Sequence, residues 1–448
     1  MLYGYTLLDP LVVLCGTFLT IYYLQRNTLR LIGYLPAAFS LWFFVPTITN
    51  LTLWQVVPLL LIVRFFLKGQ IHIPYRVQSV FIILSVILSL SLIFALIAGD
   101  DAIRAIIRFI YYLGAFAIFS FAYEMGRKPE AYNVLLKGLV IVGFIYSIYG
   151  VYQIIAYYSG LPLRGIVYTA SGESVMAFEG GLLRINSLAN EPKRLGYVLF
   201  LSAIACFFLA RASQGFRQAR LRFSAVFIFA VSTLTFAGSY YLAILLFLAI
   251  VILVYPSKAT VFSFIFLLVI TFIFIAFPHI SIVETIKHGF DRRMNEIEVG
   301  LDGVIVYRQE IFAWDYLDKN PLAYLTGVGI GQYYSVLNSA YGPGAGFNEN
   351  GALMPLNSNF LEMVFDLGIF FTIIIYGGLS MLIVKLRYAN ENFFCVSIIF
   401  LVAQSFSILN LLFLVLFAGA AMGRLSSYKL NFIGYKSKPN SIVNIVRT

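Results

Sequence analysis

Two short stretches of this sequence carry charged residues whose types and spacing could do chemistry. In the first, RINSLANEPKR, three cations surround one carboxylate: Arg184, Glu191, Lys193 and Arg194. The planar guanidinium of arginine suits a phosphate group, and the N–H groups of a helix N-terminus add to such a site. The pattern predicts an anion-binding site at the start of the next helix. The alternative is that Arg194 is an interfacial residue whose charged end reaches the membrane surface.

The second stretch, LNSNFLEMVFDLG, places Glu362 and Asp366 one turn apart on one face of a helix. Asn357 and Asn359 come just before them and are candidates for binding substrate. Carboxylates are rare in helices this apolar, so we interpret them as catalytic or as partners of an arginine.

Arg104 and Arg108 are four residues apart at the end of a predicted membrane helix, so they share a face. Arginine within a membrane segment is costly and is usually functional or paired. We therefore take both as candidates for binding an anionic substrate. The alternative partners are the neighbouring Asp100 and Asp101.

The long polar interval from about 281 to 357 contains two predicted helices, 281–299 and 303–319. The second ends before Pro321, because proline cannot continue a helix. A glycine-rich turn, TGVGIGQ, follows. We expect this segment to pack against a membrane bundle and to close a chamber on one side.

Arg308 lies near the start of the second loop helix. We take it as a candidate catalytic residue. The alternative is a salt bridge to Glu310 or Asp315.

The elements that must position these residues are membrane helices. The 448 residues are 61% hydrophobic and 11% charged, far from the roughly 25% charged residues of soluble domains. Repeated apolar runs approach the roughly 20 residues that cross a bilayer. We predict an all-α polytopic membrane protein with about 12–14 transmembrane helices and a large helical periplasmic loop. We predict thirteen transmembrane spans: 5–24, 31–49, 51–67, 78–98, 103–124, 134–157, 194–211, 223–238, 240–255, 259–279, 358–384, 392–408 and 410–427.

The predicted organisation has five parts. They are an N-terminal helical part, a first periplasmic loop, a middle helical part, the large periplasmic loop, and a C-terminal helical part with a cytoplasmic tail: 1–158, 159–193, 194–280, 281–357 and 358–448.

Orientation follows from the basic residues. The loops on one side of the predicted spans hold 20 of the 31 lysine and arginine residues but only three acidic residues. Such an excess marks the cytoplasmic side of a membrane protein. We therefore predict that the loops 159–193 and 281–357 lie outside the cytoplasm.

Several function classes are disfavoured. The cytoplasmic loops are short and contain no GxxxxGK[ST] phosphate loop, so a nucleotide-dependent activity is not expected. The three histidines and three cysteines show no metal-ligand spacing, and we expect no metal and no cofactor. Membrane topology, rather than nucleic acid as a partner, explains the net charge of +11. The lipid bilayer is the expected surrounding.

At these residues the chain resembles the bacterial O-antigen polymerase and ligase superfamily, which includes Wzy-type polymerases and lipid A-core ligases. Three patches carry the resemblance, in order. They are RINSLANEPKRLGYVLFLSA; the run from Arg308 to Trp314 with Asn320-Pro321 and GVGIG; and LNSNFLEMVFDLGIFF.

The resemblance implies a GT-C-like architecture in the bacterial inner membrane, with the active site facing the periplasm. It implies an inverting glycosyltransferase whose donor is an undecaprenyl-diphosphate-linked oligosaccharide, with a chain-length regulator as a further partner. Arg184, Arg194 and Arg308 would then bind the diphosphate. An acceptor hydroxyl would lose its proton to Glu191, our first choice, or to Glu362, our second.

The sequence departs from the family pattern at two places, and the first departure favours a polymerase over a ligase. Asn357 stands where the ligases place a histidine, and Ser239-Tyr240 replaces a serine-arginine pair. The expected reaction joins a lipid-linked glycan to the non-reducing end of another lipid-linked repeat unit. The alternatives are a ligase that transfers the glycan to lipid A-core, and a transporter of an anionic or lipid-linked glycan. A transporter would more typically carry its charges at the membrane midplane.

Overall fold

The computed structural model describes most of the chain. The described residues are 2–3, 8–45, 51–68, 75–98, 102–167, 174–175, 177–179, 182–256, 309–342, 356, 358–406 and 410–435. The predicted span 259–279 and the predicted loop helix 281–299 lie outside these residues.

The described chain is mostly helical. Its first part contains α1 (Leu8–Arg26), α2 (Thr28–Ser40), α3 (Leu53–Lys68), α4 (Tyr75–Ala98), α5 (Ala102–Gly126), α6 (Pro129–Ser159), α7 (Pro192–Arg211), α8 (Gly215–Thr233) and α9 (Gly238–Val254). Its second part contains α10 (Gln309–Lys319), α11 (Pro321–Thr326), α12 (Tyr333–Tyr341), α13 (Asn359–Leu367), α14 (Ile369–Tyr388), α15 (Asn392–Ser405) and α16 (Leu411–Tyr435).

Six of the described helices are long and apolar enough to cross a membrane: α1, α5, α6, α7, α14 and the first 18 residues of α16. The helical, polytopic membrane class predicted from composition is therefore confirmed. Large apolar side chains cover the outward faces of these helices; Phe18 and Phe370 are 70% and 62% exposed. Such faces suit lipid, which is as apolar as the side chains themselves.

The main hydrophobic core lies where α2, α6, α7, α15 and α16 meet. Leu35, Leu139, Leu199, Phe400 and Phe417 are fully buried within it. These helices form the frame on which the polar ends of the bundle are held.

The predicted span 31–49 is wrong in its second half. Helix α2 ends at Ser40, and the chain continues as an antiparallel hairpin of β2 (Phe44–Val45) and β3 (Leu51–Thr52). A short apolar run fits a buried strand as well as a helix, which is why periodicity alone did not separate the two.

The predicted continuous span 358–384 is also interrupted. Gly368 separates α13 from α14 and has a positive φ of 82°. A Cβ atom there would lie 2.1 Å from the carbonyl oxygen of Leu325 at the end of α11. Only glycine permits this conformation and this close approach, so α13 is a separate helix that precedes the spanning helix.

The second loop helix ends as predicted. Helix α10 stops at Lys319, and Pro321 begins the short helix α11. Residues 303–308 of the predicted helix, which include Arg308, lie outside the described part of the chain.

The predicted loop 159–193 lies between α6 and α7 and forms short strands. These are β4 (Leu163–Arg164), β5 (Ile166–Val167), β6 (Ser174–Val175), β7 (Ala177–Glu179) and β8 (Leu182–Arg184). Strand β4 pairs in parallel with β1 (Leu2–Tyr3), β5 pairs with β6, and β7 pairs with β8.

A buried ion pair ties this loop to the start of α1. Arg164 Nη2 lies 2.6 Å from Asp9 Oδ1, and both side chains are almost fully buried. The same nitrogen donates to the carbonyl oxygen of Trp42 at 2.8 Å. The first loop, the first helix and the β2–β3 hairpin are therefore held together at one end of the bundle.

Candidate functional site

The RINSLANEP segment is shaped by one buried glutamine. Gln153, in α6, donates to Asn186 Oδ1 at 3.1 Å and accepts from the backbone N–H of Ser187 at 2.7 Å. This places Glu191 as the N-cap residue of α7, with Pro192 at the first helical position. Proline suits that position because its missing N–H is not needed there.

The cations predicted to surround Glu191 do so. Lys193 Nζ lies 3.0 Å from Glu191 Oε2, and Arg194 and Arg184 interact with the same carboxylate electrostatically. Arg184 also donates from Nε to the carbonyl oxygen of Thr235 at 3.3 Å. Burial acts to raise the pKa of Glu191, but the three cations outweigh burial and hold that pKa below its ordinary value.

A second charged group forms between α5 and α13. Arg108 Nη2 lies 2.5 Å from Glu362 Oε2, and Arg108 Nε lies 2.9 Å from Asp366 Oδ2. Tyr112 donates its hydroxyl to the same Asp366 oxygen at 2.8 Å. The side chains of Arg108, Glu362 and Asp366 are 17%, 7% and 0% exposed. The interpretation of these carboxylates as partners of an arginine is therefore confirmed.

The glycine-rich turn supplies a further hydrogen bond to Asp366. The backbone N–H of Gly331 donates to Asp366 Oδ1 at 2.9 Å. Gly331 has φ of 70°, and a Cβ atom there would lie 3.0 Å from the carbonyl oxygen of Arg104. Ser91, on α4, accepts from the N–H of Ile330 at 3.0 Å. The turn thus packs against α4 and α5 and holds α13 in place.

Three aromatic side chains connect the two charged groups; we call Trp42, Trp54 and Tyr111 the aromatic wall. The Arg194 guanidinium lies 5.8 Å from the Trp42 ring, and that of Arg108 lies 5.0 Å from the Tyr111 ring. Within the wall, the ring centroids of Trp42 and Trp54 are 6.4 Å apart, and those of Trp54 and Tyr111 are 6.1 Å apart.

Arg194 also interacts electrostatically with Glu362. The start of α7, the start of α3, the first turns of α5 and the short helix α13 therefore meet at one end of the bundle. The two charged groups are thus connected by a shared set of contacts.

The remaining candidates are placed differently. The Arg104 guanidinium lies 5.4 Å from the ring of Tyr334, at the edge of the site. Asn359 was predicted to bind substrate, but its side chain is buried and lies against Asn410, the residue before α16. With the amide oriented to satisfy its neighbours, its oxygen accepts from the N–H groups of Asn410 and Leu411 at the start of α16. This asparagine therefore caps a helix.

Four candidates lie outside the described residues: Arg308, Asn357, Asp100 and Asp101. Their predicted roles stay predictions.

Sequence reasoning missed Gln153, Tyr112 and the three residues of the aromatic wall. Aromatic residues are common at both ends of membrane helices, so their sequence positions gave no signal. Gln153 gave a weak one, as a polar residue within an apolar helix.

The arrangement combines groups suited to one kind of chemistry. Arg184, Lys193 and Arg194 can hold an anion, Glu362 can accept a proton, and the aromatic wall offers flat apolar surface between them. Neither a protein-family model nor a curated protein matches this sequence.

Proposed function

We propose that this chain is an inverting glycosyltransferase of the bacterial inner membrane that polymerises a surface glycan. The donor is an undecaprenyl-diphosphate-linked oligosaccharide, and the acceptor is the non-reducing end of another lipid-linked repeat unit. The observation that carries the proposal is the convergence of Arg194, Arg108 and Glu362 at one end of an apolar helical bundle. A GT-C-like architecture is part of the same proposal and rests on the resemblance.

The cations around Glu191 are suited to the diphosphate. Arg194 lies in the first turn of α7. The first N–H groups of a helix have no partner within the helix and favour an anion. Arg184 approaches the same place from β8. As the glycosidic bond breaks, negative charge grows on the leaving diphosphate, and these fixed cations stabilise it. Arg308 remains our predicted third ligand.

Arg108 has a different role in this proposal. Its guanidinium is already paired with Glu362 and Asp366, so binding a substrate anion would require breaking buried ion pairs. We assign it to positioning α13, and with it Glu362.

We assign the role of proton acceptor to Glu362 instead of Glu191. Glu191 is paired with Lys193, and the lowered pKa makes its carboxylate a weaker base than an isolated one. Glu362 is also paired with a cation, Arg108, but burial and the neighbouring Asp366 raise its pKa above the ordinary value of a glutamate, and it interacts with Arg194, which is proposed to hold the leaving group. We therefore propose that Glu362 takes the proton of the acceptor hydroxyl, which attacks the anomeric carbon from the face opposite the diphosphate.

Loss of the gene tests the function. Because the enzyme joins repeat units, we expect the mutant to keep glycan of a single repeat unit and to lose all longer chains, as seen on a gel of surface glycans. Loss of every capped core would show a ligase instead. Accumulation of lipid-linked units on the cytoplasmic face would show a transporter.

Reporter fusions test the orientation. A reporter that is active only outside the cytoplasm should be active when fused after Asn350 and inactive when fused after Gln218, because basic residues surround the second position. The reverse pattern would place the charged groups on the cytoplasmic face and contradict the use of a periplasmic donor.

A further inference from the structure

The end of the bundle opposite the charged groups carries exposed cations on two neighbouring helices. Arg217 and Arg220 lie in the first two turns of α8, and Lys137 lies on α6. All three side chains are exposed, and none of them forms an ion pair with a described residue. Their charge is therefore available to an anion from outside the chain.

Acidic residues are scarce at this end. The sequences of α7, α8 and α9 contain neither Asp nor Glu. Glu124 at the end of α5 and Glu391 just before α15 are already paired, with Arg64 at 3.0 Å and with Arg424 at 2.6 Å. Glu130 lies two turns before the lysine of α6, roughly 10 Å away along the helix axis. The anion must therefore come from another molecule.

A contact between two rings places the cations on one groove. The ring centroids of Phe144 on α6 and Phe227 on α8 are 6.5 Å apart. Lys137 lies seven residues before Phe144, and Arg220 lies seven residues before Phe227. Seven residues are about two helical turns, so each cation shares a face with its phenylalanine. Because α6 and α8 begin at the same end of the bundle, the two cations flank the same groove.

Beyond the cations, the same helix faces are apolar. Ile141 and Phe144 of α6 are 59% and 45% exposed, and Phe223 of α8 is 75% exposed. The groove is thus cationic at the end of the bundle and apolar toward its middle. We use the name α6–α8 strip for six residues: Lys137, Ile141 and Phe144 of α6, with Arg217, Arg220 and Phe223 of α8.

We propose that the α6–α8 strip binds an anionic phospholipid of the surrounding bilayer. The lipid phosphate lies between the three cations, and an acyl chain lies along the three apolar side chains. Guanidinium groups match the oxygens of a phosphate, and basic residues beside the ends of membrane helices attract anionic head groups. The inference is independent of the proposed function, because the strip and Arg194 lie at opposite ends of α7, a helix of 20 residues that is roughly 30 Å long.

Other occupants fit the strip less well. A soluble phosphate compound or a nucleic acid would use the cations but leave the apolar half in contact with nothing. A second copy of this chain that met the strip with its own strip would bring cations against cations, which is unfavourable. A lipid matches both halves, in the order in which they occur along the helices.

Spin-labelled lipid tests the proposal. The purified full chain, washed free of native lipid in a neutral detergent, is titrated with phosphatidylglycerol that carries a spin label on its acyl chain. Bound lipid gives an immobilised component in the spin-resonance spectrum, and the titration yields a dissociation constant. We expect saturable binding of phosphatidylglycerol, and binding weaker by about tenfold or more for identically labelled phosphatidylcholine, whose head group has no net charge.

Single substitutions locate the site. Arg220→Gln should raise the dissociation constant of phosphatidylglycerol about fivefold, which corresponds to about 1 kcal/mol per basic residue near a membrane surface. Lys137→Gln combined with Arg220→Gln should raise it about 25-fold if the two effects add. Arg222→Gln is the matched control. Arg222 is exposed and lies on the same helix, but about 200° around it from Arg220, so its loss should leave the affinity unchanged.

Four results would overturn the proposal. The first is equal binding of the two lipids by the unsubstituted chain. The second is an equal loss of affinity in Arg222→Gln and Arg220→Gln, which would show diffuse attraction. The third is displacement of the lipid by an equal concentration of inorganic phosphate, which would show a site for a soluble anion. The fourth is no bound lipid and a particle mass that falls from two copies to one in Arg220→Gln, which would make a second copy the occupant. The titration of the unsubstituted chain stays decisive if a variant does not fold.

Discussion

Arg108→Ala should strongly destabilise the protein as well as abolish polymer. The substitution leaves Glu362 and Asp366 buried without their cation, and breaking a buried ion pair in this way costs about 3–5 kcal/mol. We expect a much lower level of protein in the membrane and a lower melting temperature in detergent. Thermal unfolding of the purified variant, followed by loss of helical signal, measures the effect.

Arg104→Ala is the matched control. This arginine is one turn away on the same helix, and its guanidinium contacts the ring of Tyr334 at the edge of the site. We expect its loss to destabilise the protein less than the loss of Arg108, which leaves Glu362 and Asp366 buried without their cation. A triple variant, Arg108→Met with Glu362→Gln and Asp366→Asn, removes all three charges and should recover most of the stability without recovering activity. Equal stability of Arg108→Ala and Arg104→Ala would contradict the assigned role of the ion pairs.

Glu362→Gln should lower the rate of polymer formation by about 10²–10⁴-fold, the range typical of a lost general base. Glutamine keeps the size and hydrogen bonding of the side chain but removes its basicity. Binding of the lipid-linked donor should survive, because the cations proposed to bind the diphosphate are unchanged. Polymer formation by purified protein from lipid-linked repeat units, together with a donor-binding assay, separates the two effects.

Glu191→Gln is the comparison for this prediction. If Glu191 only pairs with Lys193, Arg184 and Arg194, its replacement should weaken donor binding or folding more than the chemical step. A large loss of rate at Glu191 with normal activity at Glu362 would return the base to Glu191. Normal rates in both variants would mean that no carboxylate base operates and that arginine electrostatics and positioning carry the reaction.

The helices and their class were predictable from the sequence. Apolar runs of membrane length and a low content of charge require helices, because backbone groups in lipid have no partner outside their own segment. Local signals also marked several boundaries. Proline at 321 ended α10, and the predicted loop 159–193 matches the interval between Ser159 and Pro192.

Part of the candidate site was also predictable, because it depends on local features of the sequence. The four-residue spacing of Glu362 and Asp366, and the clustering of cations around Glu191, are local features that a helix or a short loop preserves. The sequence also left pairing with an arginine open as a role for the two carboxylates, and the structure shows that pairing.

The identity of each partner was decided by tertiary structure. Arg108 and Asp366 are 258 residues apart, and adjacent Asp100 and Asp101 were equally reasonable partners by sequence. The amide side chain of Asn359 could bind a substrate, but the packing of α13 against α16 places it at the start of α16, where it caps that helix. The break at Gly368 depends on the close approach of Leu325, which no local pattern reveals.

By itself, then, the sequence determined most of the helical segments, the membrane class of the chain and the short stretches that carry charge. Those properties follow from hydrophobic periodicity and from residues within a few positions of one another. Tertiary structure alone decided that Trp42, Trp54 and Tyr111 lie between the charged groups of α7 and α5. The physical reason is that such contacts depend on how whole helices pack, and packing is set by shape and burial summed over the bundle rather than by any one segment.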